Sequence, residues 1–141
     1  MYFCMARILC IDDEPKMVEL KRAILEQAGH EVIGANSAHE AFDLLANQKF
    51  DAIVTDWRLG DDTGRSVLQS AKAQSNAPVV VVSGYIVDAY QAAEPQADLY
   101  LEKPVNPEEL LTVVNELLKA REREAQSEAH SKAQSAPESS L

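Results

Sequence analysis

Only two cysteines, Cys4 and Cys10, occur in 141 residues, too few for a disulfide framework, and Cys10 falls inside an apolar run where a buried, reduced thiol is expected. No apolar stretch approaches the roughly 20 residues of a membrane-spanning helix. The opening Met1-Tyr2-Phe3-Cys4-Met5-Ala6 is apolar but lacks the basic start and the length of a signal peptide, so a cytoplasmic setting is expected. Residues 1–5 read as an N-terminal extension, with Met5 an equally good start. Basic residues are outnumbered, 13 Lys+Arg against 23 Asp+Glu for a net charge of -10, which disfavours nonspecific attraction to nucleic acid or an anionic membrane. His30, His39 and His130 have no metal-binding spacing, and each reads as a solvated surface residue. Internal repeats are absent.

What is present is a set of short apolar runs, each ending abruptly in a polar group. Ala52-Ile53-Val54-Thr55 ends in Asp56, Arg7-Ile8-Leu9-Cys10-Ile11 in Asp12-Asp13, Val79-Val80-Val81-Val82 in Ser83, and Leu99-Tyr100-Leu101-Glu102 in Lys103. Uninterrupted β-branched runs suit strands buried on both faces of a parallel sheet. Glu31 to Ala35 adds a fifth strand. Between them, Pro15 opens a helix with Met17, Leu20, Ile24, Leu25 and Ala28 at helical spacing and Gly29 to end it. Ser37 with Glu40 makes a capping box for a helix to about Asn47 carrying Ala41, Phe42, Leu44 and Leu45 inward. Arg65 to Gln74 reads as a helix, Ile86 to Ala93 as a weaker one stopped by Pro95. Asn106, Pro107 and Glu109 open a last helix with Leu110, Leu111, Val113, Val114, Leu117 and Leu118 on one face. Five alternations of strand and helix in a chain of one-domain length predict an α/β fold, a doubly wound five-stranded parallel sheet.

If those strands lie side by side, three carboxylates, a hydroxyl and an ammonium converge at the carboxyl edge, where open α/β sheets carry their sites. Asp12, Asp13 and Asp56 would repel one another unless a cation sat among them, and a hard, oxygen-seeking ion such as Mg2+ fits. Such an ion would let a phosphoryl donor approach Asp56, whose carboxylate is a competent nucleophile. Lys103 and the Ser83 hydroxyl are the groups available to the transferring oxygens.

Over roughly residues 6 to 120 the chain resembles the receiver domain of two-component response regulators. The resemblance rests on Ile11-Asp12-Asp13-Glu14-Pro15, Val54-Thr55-Asp56 with Gly64 eight residues on, Val82-Ser83-Gly84-Tyr85 and Leu101-Glu102-Lys103-Pro104. It implies a flavodoxin-like fold with strand order 2-1-3-4-5 over residues 6–124. It also implies that Asp56 accepts a phosphoryl group from a phosphohistidine of a sensor histidine kinase or histidine phosphotransfer protein. Mg2+ would be held by Asp13, Asp56 and the Arg58 carbonyl, with Asp12 acting largely through water. Ser83 and Lys103 would hold the phosphoryl oxygens, and Tyr100 would be a rotamer switch coupled to Ser83. Such a domain is a signalling switch that assists only its own phosphorylation and dephosphorylation. Arg58 and Tyr85 take the two variable positions flanking the site, and the bulk and charge of Arg58 are expected to slow hydrolysis.

Two other classes stay open on the residues alone. A haloacid-dehalogenase-like phosphatase would use Asp56 as nucleophile but expects an acid two residues on, where Arg58 stands. A flavodoxin-like binding module expects a Gly/Ser/Thr-rich first loop, where Asp12-Asp13-Glu14 repels phosphate. Residues 125–141 are Ser, Ala, Gln and Glu with almost no large apolar side chain, and a disordered tail is expected. With no DNA-binding pattern after the last helix, output is expected through an unidentified protein bound in trans, or through a homodimer, without direct contact to nucleic acid or membrane.

Overall fold

The structure, a computed structural model, describes residues 6–60, 62–84 and 96–139, with side chains described as far as Glu124. Five parallel strands form one sheet: β1 (Arg7–Ile11), β2 (Glu31–Ala35), β3 (Ala52–Asp56), β4 (Val79–Ser83) and β5 (Leu99–Glu102), in the order β2-β1-β3-β4-β5. Among the described residues four helices pack on it: α1 (Pro15–Gln27), α2 (Ala38–Asn47), α3 (Gly64–Gln74) and α4 (Pro107–Ser139). A two-residue antiparallel ladder pairs Arg58–Leu59 with Asp62–Thr63. The expected helix over Ile86–Ala93, the N-terminal extension and Tyr85 lie outside the described residues.

The runs that read as doubly buried strands are so. Every residue of β3 and β4 is buried, and Val79 to Val82 expose nothing. Alternate side chains divide between two cores. Leu9, Ile11, Ile53, Val79 and Val81 face Ala41, Leu45, Val67 and Leu68 of α2 and α3. On the opposite face Ile8, Cys10, Val54, Val80 and Val82 meet Leu25 of α1 and Leu110 and Val114 of α4. Helices on both faces make the arrangement doubly wound. Because the connections from β1 and β3 leave on opposite faces, a crevice opens at their carboxyl ends.

The helix boundaries follow local chemistry. Gly29, at φ +97, ends α1 in a backbone conformation that a side chain would strain. Glu40 N–H donates to Ser37 Oγ at 3.1 Å, and Glu40 Oε1 accepts from Asn36 N–H, closing the expected box one residue early. Asn106 Oδ1 accepts from Glu108 N–H at the start of α4.

Several details differ from the sequence reading. The buried stripe of α1 is Val18, Lys21 and Leu25, while Leu20 is about half exposed. His30 is buried rather than solvated: its Nδ1 accepts from Ala6 N–H at 3.3 Å, and Nε2 lies 2.9 Å from Asn115 Oδ1. Both ring nitrogens therefore have partners, which is what lets a polar ring sit between β1, β2 and α4. His39 is exposed beside Asp43, as expected. The backbone of α4 continues as helix to Ser139 through the stretch expected to be disordered. Ala, Glu, Gln and Lys are strong helix formers, and prolonging an existing helix avoids the cost of a new nucleus. Arg121, just past the last apolar turn, donates to the Asp51 carbonyl at 2.9 Å and ties α4 to the start of β3.

Candidate functional site at the carboxyl edge of the sheet

β1 ends at Ile11 and delivers Asp12 and Asp13. β3, its neighbour in register from Ile8↔Ala52 to Ile11↔Thr55, ends in Asp56. The carboxylates of Asp12, Asp13 and Asp56 each bring an oxygen within 4.8 Å of the others. Asp12 and Asp56 are buried, at 1% and 4% exposure, and Asp13 is exposed, so the cluster is a pocket with one open side.

Asp56 is held on both oxygens. Oδ1 accepts from Trp57 N–H at 3.1 Å and Oδ2 from Lys103 Nζ at 3.0 Å. The Trp57 N–H also bonds the Val82 carbonyl at 2.8 Å, pinning the turn after β3 to β4. Below it, Gly64 N–H bonds the Trp57 carbonyl, and a side chain on Gly64 would stand 2.6 Å from the Asp56 carbonyl oxygen. That contact explains the glycine: the loop returns against the backbone of the aspartate it follows. Burial pushes the Asp56 carboxyl above its ordinary value. The Lys103 hydrogen bond and charge oppose this, and Asp12 adds to it. The carboxyl is thus desolvated and partly neutralised, and a further cation would stabilise its ionised form.

Lys103 is presented by the end of β5, its backbone N–H bonded to the Ser83 carbonyl at 2.9 Å. The Lys103–Pro104 peptide is cis. Ser83 is buried at the end of β4, one residue beyond the Asp56↔Val82 pair. Tyr100 pairs with Val81 and so shares the face of Ser83 two residues back along the strand. Its hydroxyl donates to Gln96 Oε1 at 2.7 Å and accepts from Ala97 N–H at 3.0 Å. Arg58 is exposed and starts the short ladder. Trp57 is half-buried against the α2/α3 core.

The arrangement thus brings together Asp12, Asp13, Asp56 and Lys103, with Ser83 at the adjacent strand end. One site residue escaped the sequence reading. Lys21, buried in the middle of the α1 stripe, places Nζ 3.2 Å from Asp12 Oδ2. A lysine flanked at i-3 and i+4 by inward apolar residues, one helix away from an acidic pair, was the available signal. Chemically, the donor set is all oxygen, without thiol or imidazole, and suits a hard divalent cation better than zinc or copper. Cys10 is not part of it. Burial pushes its thiol up to about 12, leaving it an unreactive core residue.

Comparison with known proteins gives a consistent picture. The model of the response regulator receiver domain matches residues 8–115. The chain is 40% identical over 131 residues to the alginate biosynthesis transcriptional regulatory protein AlgB of Pseudomonas putida, aligning 87% of this chain with 28% of that one. It is 31% identical over 130 residues to the transcriptional regulatory protein AruR of Pseudomonas aeruginosa, with 87% and 53% covered. The chain therefore spans between about a quarter and a half of these relatives. Among solved structures, a CheY-like response regulator receiver domain protein from Methanospirillum hungatei superposes with a TM-score of 0.79 at 31% identity, over 86% of this chain and 99% of that one. Sheet order, acidic pocket and these similarities agree, and the chain belongs to the response regulator receiver domain family.

Proposed function

We propose that the chain is the phosphoacceptor of a two-component phosphorelay in which Asp56 takes the phosphoryl group. The observation that carries this is the single pocket in which Asp56 is held by Lys103 on one side and faced by Asp12 and Asp13 on the other. Receiver domains are signalling switches rather than enzymes that turn over an external substrate, and the chemistry needed is a single transfer. An oxygen of Asp56 attacks the phosphorus of a phosphohistidine, the P–N bond breaks, and the imidazole nitrogen leaves with the bonding pair and takes up a proton. Asp56 becomes an acyl phosphate.

Three carboxylates around one point fit Mg2+, which when bound supplies positive charge opposite the transferring oxygens. Asp13, Asp56 and the Arg58 carbonyl are the groups proposed to hold it, with Asp12 contributing through water. Lys103 neutralises the oxygen of Asp56 that does not attack and then faces the phosphoryl group. The Ser83 hydroxyl, on the neighbouring strand end, is proposed to donate to a second phosphoryl oxygen. Its movement would open space for Tyr100, on the same sheet face, to exchange its bonds to Gln96 and Ala97 for an inward rotamer. Arg58, exposed beside the acceptor, is proposed to slow attack by water.

The donor in this reading is a histidine kinase or a histidine phosphotransfer protein in the cytoplasm, and the output is a change in a protein-binding surface, in trans or between copies of the chain. Among the described residues no helix is long and apolar enough to cross a membrane. The test is incubation with acetyl phosphate and Mg2+ followed by intact mass. A single phosphoryl adduct that is absent from Asp56→Asn is expected. No adduct on the parent chain, or an undiminished adduct on Asp56→Asn, would overturn the assignment.

A further inference from the structure

Lys21 is a buried charged residue beside the site that the proposed transfer does not use. Its side chain is 4% exposed, and its stem runs along an apolar cavity of about 540 Å3 lined by Met17, Leu20, Ile24, Val82 and Pro104. An ammonium there keeps its charge only by finding a counter-ion. It finds Asp12, whose Oδ2 lies 3.2 Å away. Asp12 has its other oxygen engaged as well, since Oδ1 accepts from Glu14 N–H at 3.0 Å. Both oxygens of the most deeply buried carboxylate in the cluster are therefore occupied from within the protein. With Lys103 on Asp56, the three carboxylates face two ammonium groups, and the pocket carries one net negative charge instead of three.

We propose that Lys21 is a positioning residue, a resident counter-cation that reserves Asp12. An incoming divalent ion is then left to Asp13 and Asp56 and bound more weakly than the carboxylates alone would bind it. This rests on the reading of the pocket as the receiver's phosphoacceptor site, and concerns how strongly that site depends on metal. Lys21 reaches the pocket from α1 and touches Asp12 only at the oxygen turned towards that helix. It holds the acidic pair together when no metal is present, and it repels the metal when one arrives. A cation of fixed position also limits the ways Asp12 can turn.

The experiment is a Mg2+ titration in chelated, metal-free buffer followed by fluorescence of Trp57, the chain's one tryptophan, whose backbone N–H donates to the Asp56 carboxylate. Lys21→Met keeps the stem and removes the charge. Its Mg2+ dissociation constant is expected to fall at least about tenfold, the effect of a unit charge ~6 Å from a divalent ion even with the screening of bulk water, a dielectric near 80. A purely structural role would leave that constant unchanged or raise it. An unchanged or raised constant in a folded Lys21→Met overturns the proposal. If Lys21→Met does not fold, Asp12→Asn is compared with Asp12→Asn/Lys21→Met. The double variant is expected to bind Mg2+ about tenfold more tightly than the single, and equal affinities overturn the proposal. The parent's acetyl phosphate adduct separates the two failures. An adduct-forming parent whose Lys21 variants bind no tighter overturns this inference alone, whereas a parent with neither adduct nor Mg2+ response overturns the phosphoacceptor assignment and this inference with it.

Discussion

Lys103 Nζ and Asp56 Oδ2 stand 3.0 Å apart although 47 positions separate them along the chain. The contact exists because β5 and β3 flank β4, and β5 ends one position beyond β3, so that Lys103 reaches back over the Asp56 strand end. If Lys103 serves the transferring group, Lys103→Met should slow acetyl phosphate labelling by about a hundredfold, the scale seen when one preorganised charge is removed from a transition state. Time courses of intact mass check this. An unchanged rate would leave the lysine a merely structural partner of Asp56.

The raised carboxyl of Asp56 makes a prediction about stability and pH in the absence of metal. Burial is the main cause, so the folded chain holds the proton more tightly than the unfolded chain, whose carboxyl returns to near 3.8. Between those two values the native state binds more protons, and stability falls as pH rises through that window. In chelator, the parent's melting temperature should fall relative to that of Asp56→Asn as pH rises above about 4. The variant should also melt a few degrees above the parent at pH 7, since ~1 kcal/mol is worth about 4 °C or more in a domain of this size. Adding Mg2+ should raise the parent more than the variant. Thermal unfolding monitored by circular dichroism reads all three.

Gly64 is predicted to be intolerant of alanine. The added carbon would sit 2.6 Å from the Asp56 carbonyl oxygen and 3.1 Å from Trp57 Cα, both backbone atoms with no rotamer to relieve the clash. Overpacking of this kind costs about 1–3 kcal/mol. Gly64→Ala should therefore lower the melting temperature and, by displacing the turn that carries Asp56, slow acetyl phosphate labelling as well. A variant with full stability and rate would show that the loop moves freely.

His30, buried, and Asn115, half-buried, form a polar pair between the sheet and α4. Removing one partner leaves the other unsatisfied, a loss of about 1–3 kcal/mol, whereas removing both costs less than the sum. Chemical denaturation of His30→Ala, Asn115→Ala and the double variant should therefore give a non-additive cycle. Strict additivity would mean that the two side chains do not act together.

The sheet was legible because a doubly buried parallel strand must be an unbroken apolar run, and Val79 to Val82 or Ala52 to Thr55 admit few other conformations. The site was legible for the same reason: each run stops where the sheet stops, so the residue that follows, Asp12, Asp56, Ser83 or Lys103, stands at the edge. Less legible were residues whose type argues against their position. Leu20 looked inward by type, yet the packing stripe of α1 runs one residue along, through Val18 and Lys21. Lys21 and His30 are buried because specific partners, Asp12 and Asn115, come from elsewhere in the chain. Composition cannot supply such pairings. Past residue 124, scarcity of apolar residues argues against a core but not against continuing a helix already begun.

That extension has a mechanical consequence. At 1.5 Å per residue, the 18 positions from Arg121, where α4 is clamped to Asp51, to Ser139 make an arm of about 27 Å. Were that arm to move as one piece, a tilt of about 10° at the clamp would sweep its tip by ~5 Å. A small readjustment where α4 seats against the sheet would then become a displacement large enough to bring surfaces into or out of register.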